Sequence, residues 1–364
     1  MNRASAQAEE AIVLSHGHIE LAAVPAGFES ELTHEDQIYG DPAGSADLRG
    51  EIAAWTTRQT STELSAEQVV VTAGARAALA LTLLAVQSDR PDVVVLAPCW
   101  PTYRPLVELA GRNLRIVHPP EQSGDPYQGS TLDEAFDRDV AAVILNSPRN
   151  PDWEIASAAA ITAILERAQA SNATLIFDQV YRGLSPLKTR APSPLDLAGS
   201  VPDGCVIVDG LSKTFGLAGL RIGWALVPAG AQSSLGVGSA SVFAPASSVA
   251  QRAASSVLAG DGLDSRCLAE IDRNRAMASA FLDGLPGVTC IDPGAGIFLF
   301  PDFSETGHDT AELAVSLRDQ KRVSVLCGES FGTEGRLRIS VALESAKLGV
   351  GLERIASGIG ETVV

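Results

Sequence analysis

Short apolar runs alternate with helical patterns along the first two thirds of this chain, and that alternation most constrains its fold. Six runs have the length and composition of buried strands: Gln68–Thr72, Val93–Leu96, Leu114–Val117, Ala141–Leu145, Thr174–Phe177 and Cys205–Val208. Helical patterns occupy Ala75–Gln87, Tyr103–Ala110 and Ser157–Gln169 between them. Strands that alternate with helices form βαβ units, so we predict an α/β fold with a mainly parallel mixed sheet covered by helices.

The pattern changes near Ser247, where helices and short strands follow one another less regularly. The predicted elements are helices Ser247–Ala259, Ser265–Leu285, Thr310–Gln320 and Leu343–Ile359, and strands Ile297–Phe300 and Leu337–Val341. They indicate a smaller α+β domain. A chain of 364 residues is also too long for one compact core. We therefore expect a large domain at 37–250, a small domain at 251–364, and an N-terminal segment, 1–36, that contributes to the small domain and the substrate site.

Charge and composition exclude several classes of partner. The net charge of -17 argues against nucleic acid and anionic membranes, because both would be repelled. Residues 1–10 are polar where a signal peptide would be apolar, and the run Ala77–Val86 is too short to span a bilayer. The five cysteines are scattered without a CxxC pair, so we expect neither disulfides nor a metal site, and a cytoplasmic location.

The segment from Val208 to Trp224 carries the strongest chemical signal. Lys213 follows a buried strand among small residues, and Arg221 lies eight positions later. An amine that forms an imine must be partly unprotonated, and desolvation or nearby positive charge lowers the pKa of a lysine. The glycines permit close approach of a bulky ligand, and the Arg221 fork matches a phosphate. The alternative is a surface lysine beside a helix-capping arginine.

The run Ser212-Lys-Thr-Phe-Gly-Leu-Ala-Gly-Leu-Arg-Ile-Gly223 resembles the lysine motif of the class I/II aminotransferases. These are fold-type-I enzymes that depend on pyridoxal 5′-phosphate (PLP). Matching motifs occur in matching order from about Tyr39 to Ala342. The resemblance implies a fold-type-I PLP-dependent transferase fold, a Schiff base between Lys213 and PLP, small-molecule amino acid and 2-oxo acid substrates, and a homodimer with shared active sites.

The resemblance also implies which residues hold the cofactor ring. Asp178, at the end of a strand, would bond the pyridine nitrogen and keep the ring protonated, although Asp is also common as a helix N-cap there. Tyr181 and Asn150 would bond the phenolic oxygen, and Trp100 would stack on the ring. An ordinary turn at Asn150 and a core position for Trp100 are the alternatives.

Phosphate binding is implied for five residues. They are Ala75 and Arg76 with their backbone N–H groups at a helix N-terminus, Ser212, Arg221 and, from the neighbouring subunit, Tyr39.

The substrate residues are implied in the outer parts of the chain. Arg338 would grip the α-carboxylate with its planar fork, and Arg336, two positions earlier, is the alternative. Gly17 would contact the substrate through its backbone. His16 and His18 flank it and make a poor metal site without a third ligand. We hypothesise that one of them helps to set substrate choice, so that alanine at both positions changes the kinetics on at least one substrate.

Several features depart from the family pattern. The lead before the first glycine motif is short, Arg76-Ala77 stands where Lys-Gln is common, and Trp153 replaces the glycine expected after Asn150-Pro-Asp. No motif selects an arginine for a substrate side-chain carboxylate among Arg104, Arg149 and Arg182.

An aminotransferase is the leading functional prediction. The freed amine of Lys213 would remove the Cα proton and return it at the cofactor carbon, with ping-pong kinetics. Elimination, cyclisation, decarboxylation or oxygen-dependent oxidation on the same scaffold remain alternatives. A PLP-fold effector-binding module of a transcription regulator would need an N-terminal helix-turn-helix domain, for which we expect no room.

Overall fold

The computed structural model describes residues 11–22, 32–60, 62–119, 127, 129–137, 139–185 and 190–360. The start of the chain, residues 1–10, on which the expectation of no signal peptide rests, lies outside the described residues. The chain divides into two compact units. The larger unit spans residues 22–264, and the smaller unit combines residues 1–21 with residues 265–364.

The larger unit contains one α/β sheet and its covering helices. Its strands, numbered along the chain after β1 (Ile12–Val13) of the smaller unit, are β2 (Val69–Thr72), β3 (Asp92–Leu96), β4 (Asn113–Val117), β5 (Val140–Asn146), β6 (Thr174–Asp178), β7 (Cys205–Gly210) and β8 (Gly223–Leu226). Its helices are α1 (Ala46–Thr60), α2 (Ala75–Ala85), α3 (Tyr103–Leu109), α4 (Ser130–Ala135), α5 (Ala158–Ser171), α6 (Pro194–Ala198), α7 (Leu211–Thr214), α8 (Gln232–Val242) and α9 (Ser248–Val257).

The strand order confirms the predicted mainly parallel mixed sheet. Within the described residues, seven strands pair in the order β2-β8-β7-β6-β5-β3-β4. Strand β8 runs antiparallel to both of its neighbours, whereas the other pairs are parallel. Strands β2 to β7 therefore all point the same way, and their carboxyl ends lie at one edge, where ligands of open α/β sheets bind.

Both faces of this sheet are covered, which explains why its strands are continuously apolar. Along β6, Leu175 and Phe177 join one buried cluster while Ile176 joins the other. The same alternation places Ile207 and Val208 of β7 in opposite clusters. A strand buried on both sides needs apolar residues at every position, not at alternate ones.

The elements of the larger unit that were not predicted are α1, α4, α6, α7, α8 and β8. Helix α1 contains Gly50 and ends among Thr56, Thr57 and Thr60, which are weaker helix formers. Tertiary packing stabilises it, because Trp55 lies 5.8 Å from the rings of both Phe215 and Trp224. Strand β8 begins at Gly223, the last residue of the lysine motif. Its few residues form a strand because they pair on both sides, with β2 and with β7.

The smaller unit is an α+β arrangement. Its further strands are β9 (Phe298–Leu299), β10 (Val323–Ser324), β11 (Leu326–Cys327) and β12 (Leu337–Ser340), and its helices are α10 (Ser265–Asp283), α11 (Thr310–Gln320) and α12 (Ser345–Gly360). Strand β1 pairs in parallel with β10. Strands β11, β12 and β9 form an antiparallel sheet in that order. The backbone amide of Ser340 donates to Leu14, so the N-terminal strand also lies beside β12.

The unit boundaries differ from those expected at 36/37 and 250/251. They fall at 21/22 and 264/265. Helix α9 explains the second difference, because Ala254 and Leu258 are buried in the same core cluster as Leu48 and Ile52 of α1. The ion pair between Arg252 and Asp36 attaches the segment before α1 to the same helix, with N–O distances of 2.8 Å.

Helices long and apolar enough to cross a membrane are absent from the part of the chain that the structure describes.

Candidate active site

The predicted cofactor residues of the larger unit gather at the carboxyl edge of its sheet. Each follows a strand that ends there: Ala75 and Arg76 follow β2, Trp100 follows β3, Asn150 follows β5, Asp178 and Tyr181 lie at and after the end of β6, and Ser212 and Lys213 follow β7. Arg221 precedes the antiparallel strand β8, which begins at the same edge. The sheet thus collects residues that are far apart in sequence.

Asp178 is a buried carboxylate at the end of β6, only 3% exposed. Its Oδ2 atom accepts a hydrogen bond from the Tyr103 hydroxyl at 2.7 Å, and its Oδ1 atom accepts one from the Val180 amide at 3.3 Å. Burial raises the pKa of Asp178 to about 6, while these hydrogen bonds and the charge of Lys213 oppose the rise. Above that pH the carboxylate is available as a buried anion.

Tyr103 was missed as a site residue by the sequence analysis, which assigned it only to a helix. The ring is 2% exposed, and a buried tyrosine needs a partner for its hydroxyl. Burial and the neighbouring Asp178 carboxylate hold the pKa of Tyr103 well above its usual value, so its hydroxyl remains a donor. The one signal in the sequence is its position three residues after Trp100.

Lys213 lies next to the residues predicted to surround an imine. Its Nζ atom is 5.5 Å from the centre of the Tyr181 ring, and its charge lowers the pKa of Asp178. The Asn146 side chain organises this edge, because its Nδ2 donates to the Asp178 carbonyl at 2.9 Å and its Oδ1 accepts from the Asn150 amide at 2.8 Å. Asn146 therefore joins the segments that follow β5 and β6.

The start of α2 and Arg221 form a cradle suited to a phosphate. The first amide that bonds back into the helix is that of Ala77, to Gly74 at 2.9 Å, so the preceding amides of Ala75 and Arg76 face out of the helix end. Arg221 lies against the Gly74 backbone, where an added Cβ would be 2.4 Å from its Nη2 atom. A Cβ at Gly223 would be 2.2 Å from the Ala75 amide. These glycines are required by close packing.

Trp100 is placed where an aromatic ring can cover a flat ligand. It packs edge-to-face on Tyr103 at 5.4 Å, and the Arg76 guanidinium lies 5.1 Å from its ring centre. Together, a buried carboxylate, an amine, a flanking indole and a cationic helix N-terminus match the ring nitrogen, aldehyde, ring face and phosphate of PLP. The residues present fit that cofactor.

Trp153, the departure noted in the sequence, adopts a backbone conformation that favours glycine. Its φ is 65°, and its amide closes the Asn150 turn by donating to Arg149 at 2.8 Å. The indole is 4% exposed and packs edge-to-face on Tyr181 at 6.1 Å. The left-handed backbone is retained here by a bulky residue, so the packing of the indole must offset the strain.

We expect Trp153→Gly to destabilise the protein by about 2–4 kcal/mol, despite the relief of backbone strain. Loss of a buried tryptophan side chain costs about 3–5 kcal/mol, and glycine recovers about 1 kcal/mol at positive φ. Urea unfolding of both proteins measures the difference. Trp153→Phe, which keeps an aromatic ring, should lose less. A glycine variant more stable than the parent would contradict this account.

In the smaller unit, Arg338 lies on β12 and is 4% exposed. Its guanidinium stacks on Phe298 at 4.1 Å and near Phe331 at 5.2 Å, and its Nη2 atom donates to the Ser15 carbonyl at 2.5 Å. Arg336 instead pairs with Asp302 at 3.1 Å outside the strand. The difference favours Arg338 over Arg336 as the residue that receives a carboxylate.

The contact with Ser15 places Arg338 beside the Ser15-His16-Gly17-His18 segment. The two histidine rings lie 5.2 Å apart, and the segment is not a regular strand. The Nε2 atom of His18 is 3.5 Å from Glu20. Among the described residues, no group of three or more His, Cys, Asp or Glu is placed to hold a metal ion.

Two of the three arginines considered for a substrate side-chain carboxylate already hold carboxylates of the protein. Arg149 binds Asp152 through two bonds of 2.8 and 2.5 Å, and Arg182 donates to Asp196 at 2.8 Å. Arg104 lies on the surface, 3.8 Å from Glu108. Arg149 and Arg182 therefore serve the structure of the larger unit.

The fold is that of the fold-type-I class of PLP-dependent transferases. The chain belongs to the aminotransferase class I and II family, whose sequence profile matches residues 11–355. It is therefore a class I/II aminotransferase, and the family implies PLP and amino acid and oxo-acid substrates.

Similar proteins act on different substrates. The aspartate aminotransferase of Streptomyces avermitilis is 28% identical over 344 residues, which cover 89% of this chain and 82% of the relative. The arginine–pyruvate transaminase AruH of Pseudomonas aeruginosa is 29% identical over 357 residues, which cover 96% and 90%. The crystal structure of a Thermotoga maritima aspartate aminotransferase matches with a TM-score of 0.84 at 24% identity, covering 97% of this chain and 93% of that one, which supports the fold.

Proposed function

We propose that Lys213 carries PLP and that the enzyme moves an amino group from an L-amino acid to a 2-oxo acid. The observation that carries this proposal is the placement of Lys213 beside Tyr181 and the buried carboxylate of Asp178. When bound, PLP supplies an aldehyde that condenses with amines and a ring that accepts electrons from the substrate α-carbon. The residues of this chain bind the cofactor and the substrate and move the proton.

Asp178 provides a buried negative charge for the ring nitrogen. With a pKa of about 6 it is ionised at neutral pH and above, and an anion in a buried site favours a protonated partner. Asn150 and Tyr181 supply polar groups for the phenolic oxygen, and Trp100 covers the ring. The amides of Ala75 and Arg76, with Ser212 and Arg221, bind the phosphate.

Lys213 is the base and acid of the reaction. With PLP bound, its amine would take the proton from the substrate Cα and deliver it to the cofactor carbon derived from the aldehyde, two bonds away. Arg338 holds the α-carboxylate so that the Cα–H bond is oriented for that transfer. Gly17 contributes backbone contacts, and one histidine of the pair His16 and His18 contributes to substrate choice.

The test is product analysis with purified, PLP-loaded enzyme and a panel of amino acids. Transamination predicts a keto acid without ammonia or peroxide in the absence of an acceptor, and ping-pong kinetics when a second keto acid is added. Elimination, decarboxylation or oxidation would release ammonia, carbon dioxide or peroxide, and a cyclised product would indicate cyclisation. Any of these as the main product would overturn the proposal.

We expect Arg338→Ala to raise the KM of both the amino acid and the oxo acid by about 100-fold. A charge-assisted, two-pronged contact with a carboxylate contributes about 1.5–3 kcal/mol, and every 1.4 kcal/mol is tenfold. Steady-state kinetics with each substrate varied in turn provides the measurement. The matched control is Arg336→Ala, which removes the neighbouring guanidinium. Equal effects of the two changes would reject the assignment of Arg338.

We expect Tyr103→Phe to move the acid limb of the pH profile of kcat/KM upward by about one unit. The Tyr103 hydroxyl lowers the pKa of Asp178, so its removal lets the pKa rise and Asp178 remain protonated to higher pH. Activity then falls more at pH 6 than at pH 8.5. Tyr127→Phe, the control, removes a buried hydroxyl but leaves that of Tyr103. An unchanged acid limb in Tyr103→Phe would contradict the role of this bond.

A homodimer with shared sites is part of the proposal. Tyr39 is 89% exposed, and the nearby Leu32 and Ile38 are 79% and 64% exposed, which supports a protein-covered surface and a Tyr39 that reaches a neighbouring subunit. Sedimentation of the purified protein as a monomer at micromolar concentration would refute it. No disulfide joins any of the five cysteines within the described residues, which supports the proposed cytoplasmic location, and cell fractionation tests it.

A further inference from the structure

A second buried carboxylate, Asp209, lies close to Asp178 on the next strand. It is 2% exposed and immediately precedes the turn that leads to Lys213. Asp178 is in register with Val208, and side chains alternate along a strand, so Asp209 faces the opposite side of the sheet from Asp178. It therefore lies behind the site, where it touches no ligand directly.

Asp209 joins the two turns that carry the proposed catalytic groups. Its Oδ1 atom accepts a hydrogen bond from the Gly210 amide at 2.7 Å, at the start of the Lys213 turn. Its Oδ2 atom accepts one from Nε2 of Gln179 at 3.1 Å. Gln179 is the residue between Asp178 and the Tyr181 turn, and its own amide donates to Val208 at 3.0 Å. One carboxylate thus bridges the ends of β6 and β7.

The orientation of Gln179 is fixed from its other side. Its Oε1 atom accepts a hydrogen bond from the Ser193 hydroxyl at 2.8 Å. Ser193 is fully buried and caps helix α6, and Asp196 of that helix accepts from the Ser193 amide and from Arg182, both at 2.8 Å. Because the amide oxygen of Gln179 is occupied by a donor, its NH₂ group is the end that must face Asp209.

We propose that Asp209 is a positioning residue, which through Gln179 holds the turn of Asp178 and Tyr181 in register with the turn of Lys213. The inference rests on the proposed function and deepens it. A carboxylate is an expensive group to bury, and an apolar residue of similar volume would stabilise the fold at least as well. Within the described residues, no Lys, Arg or His forms an ion pair with Asp209, and its carboxylate oxygens contact the hydrogen-bond donors of Gln179 and Gly210.

The ionisation of Asp209 makes this bridge sensitive to pH. Burial raises the pKa of Asp209 to about 7, the amides of Gly210 and Gln179 and the charge of Arg182 lower it, and the charge of Asp178 raises it. The charged groups that shift the pKa of Asp209 are therefore Arg182 and Asp178. The charge of Asp209 in turn raises the pKa of Arg190. The bond from Gln179 is charge-assisted only when Asp209 is ionised, so the bridge is strongest above about pH 7.

Two variants of the PLP-loaded enzyme test the inference, Asp209→Asn and the double variant Asp209→Asn with Gln179→Glu. The single change removes the anion and sets two NH₂ groups against each other or forces Gln179 to turn away from Ser193. The double change restores every bond, because the amide introduced at position 209 then donates to a carboxylate that also accepts from Ser193. The readouts are the apparent pKa of the visible absorbance band of the Lys213-bound cofactor, the pH profile of kcat/KM, and urea unfolding of the apo protein.

We expect Asp209→Asn to move the apparent pKa of the absorbance band by about one unit and to lower kcat/KM about tenfold at pH 8, with recovery in the double variant. If Asp209→Asn does not fold, Ser193→Ala releases Gln179 from the other side and should move the band in the same direction. An unchanged band and pH profile beside an altered urea midpoint would overturn the inference, as would a double variant no better than the single one. A parent enzyme without any such band would overturn the proposed function as well.

Discussion

Replacement of Lys213 by alanine should abolish the visible absorbance band of the bound cofactor and lower turnover by at least about 10⁴-fold. In the proposed function the amine is both the point of covalent attachment and the group that moves the Cα proton, and general acid–base catalysis alone contributes about 10²–10⁴-fold. The chain has only three other lysines, Lys188, Lys321 and Lys347. Absorbance spectroscopy and steady-state kinetics measure the two effects.

The control for this change is Lys321→Ala, which removes an amine that bonds Ser357 at 3.1 Å in the smaller unit. It should retain the spectrum and the activity of the parent. Urea unfolding of the apo protein should give a free energy of unfolding for Lys213→Ala within about 0.5 kcal/mol of the parent, because the side chain is only half-buried. A Lys213→Ala protein with a normal spectrum after reduction and washing would overturn the proposed function.

Replacement of Asp178 by asparagine should lower kcat by about 10³-fold. A charge pair at about 4 Å contributes about 4 kcal/mol at the effective dielectric constant of protein sites, and 1.36 kcal/mol corresponds to tenfold in rate. Asparagine keeps the shape and can still accept a bond from Tyr103, but its NH₂ group then faces the Val180 amide. The change therefore removes the charge and the 3.3 Å bond from Val180. Single-turnover kinetics with a good amino donor isolates the chemical step from product release.

Asp203→Asn is the matched control for the carboxylate, because Asp203 is exposed in the same unit just before β7. It should leave the rate unchanged. The Asp178→Asn protein should remain folded and more stable than the parent at pH 8, since the buried charge has been removed. A rate within threefold of the parent would show that the ring nitrogen does not depend on this anion.

The sequence predicted the elements whose residues need apolar neighbours on both sides. Strands such as β6 are continuously apolar because each face of the sheet is buried, and that pattern is local. The helix Thr310–Gln320 was predicted with its observed bounds, because its N-cap Asp309 and apolar spacing are also local. Candidate residues such as Asp178 and Lys213 could be placed at strand ends, because each follows an apolar run that is recognisable from the local sequence.

The remaining features depend on contacts between distant residues. Helix α1 packs through Trp55, whose partners Phe215 and Trp224 lie far along the chain. The bond from Tyr103 to Asp178 and the bridge from Asp209 to Gln179 join residues that are distant in sequence. No periodicity or composition indicates such pairs. The compact units divide at other positions than the expected domain boundaries, because helix α9 buries its apolar face in the larger core.

Peptide mapping after borohydride reduction tests the central claim most directly. The enzyme is loaded with PLP, reduced, digested with trypsin and examined by tandem mass spectrometry, with Lys321→Ala and Lys213→Ala proteins treated in parallel. The account predicts a reduced phosphopyridoxyl group on Lys213 at near-stoichiometric yield in the parent and in Lys321→Ala, and none in Lys213→Ala. A label found mainly on Lys188, Lys321 or Lys347, or on no lysine, would contradict it.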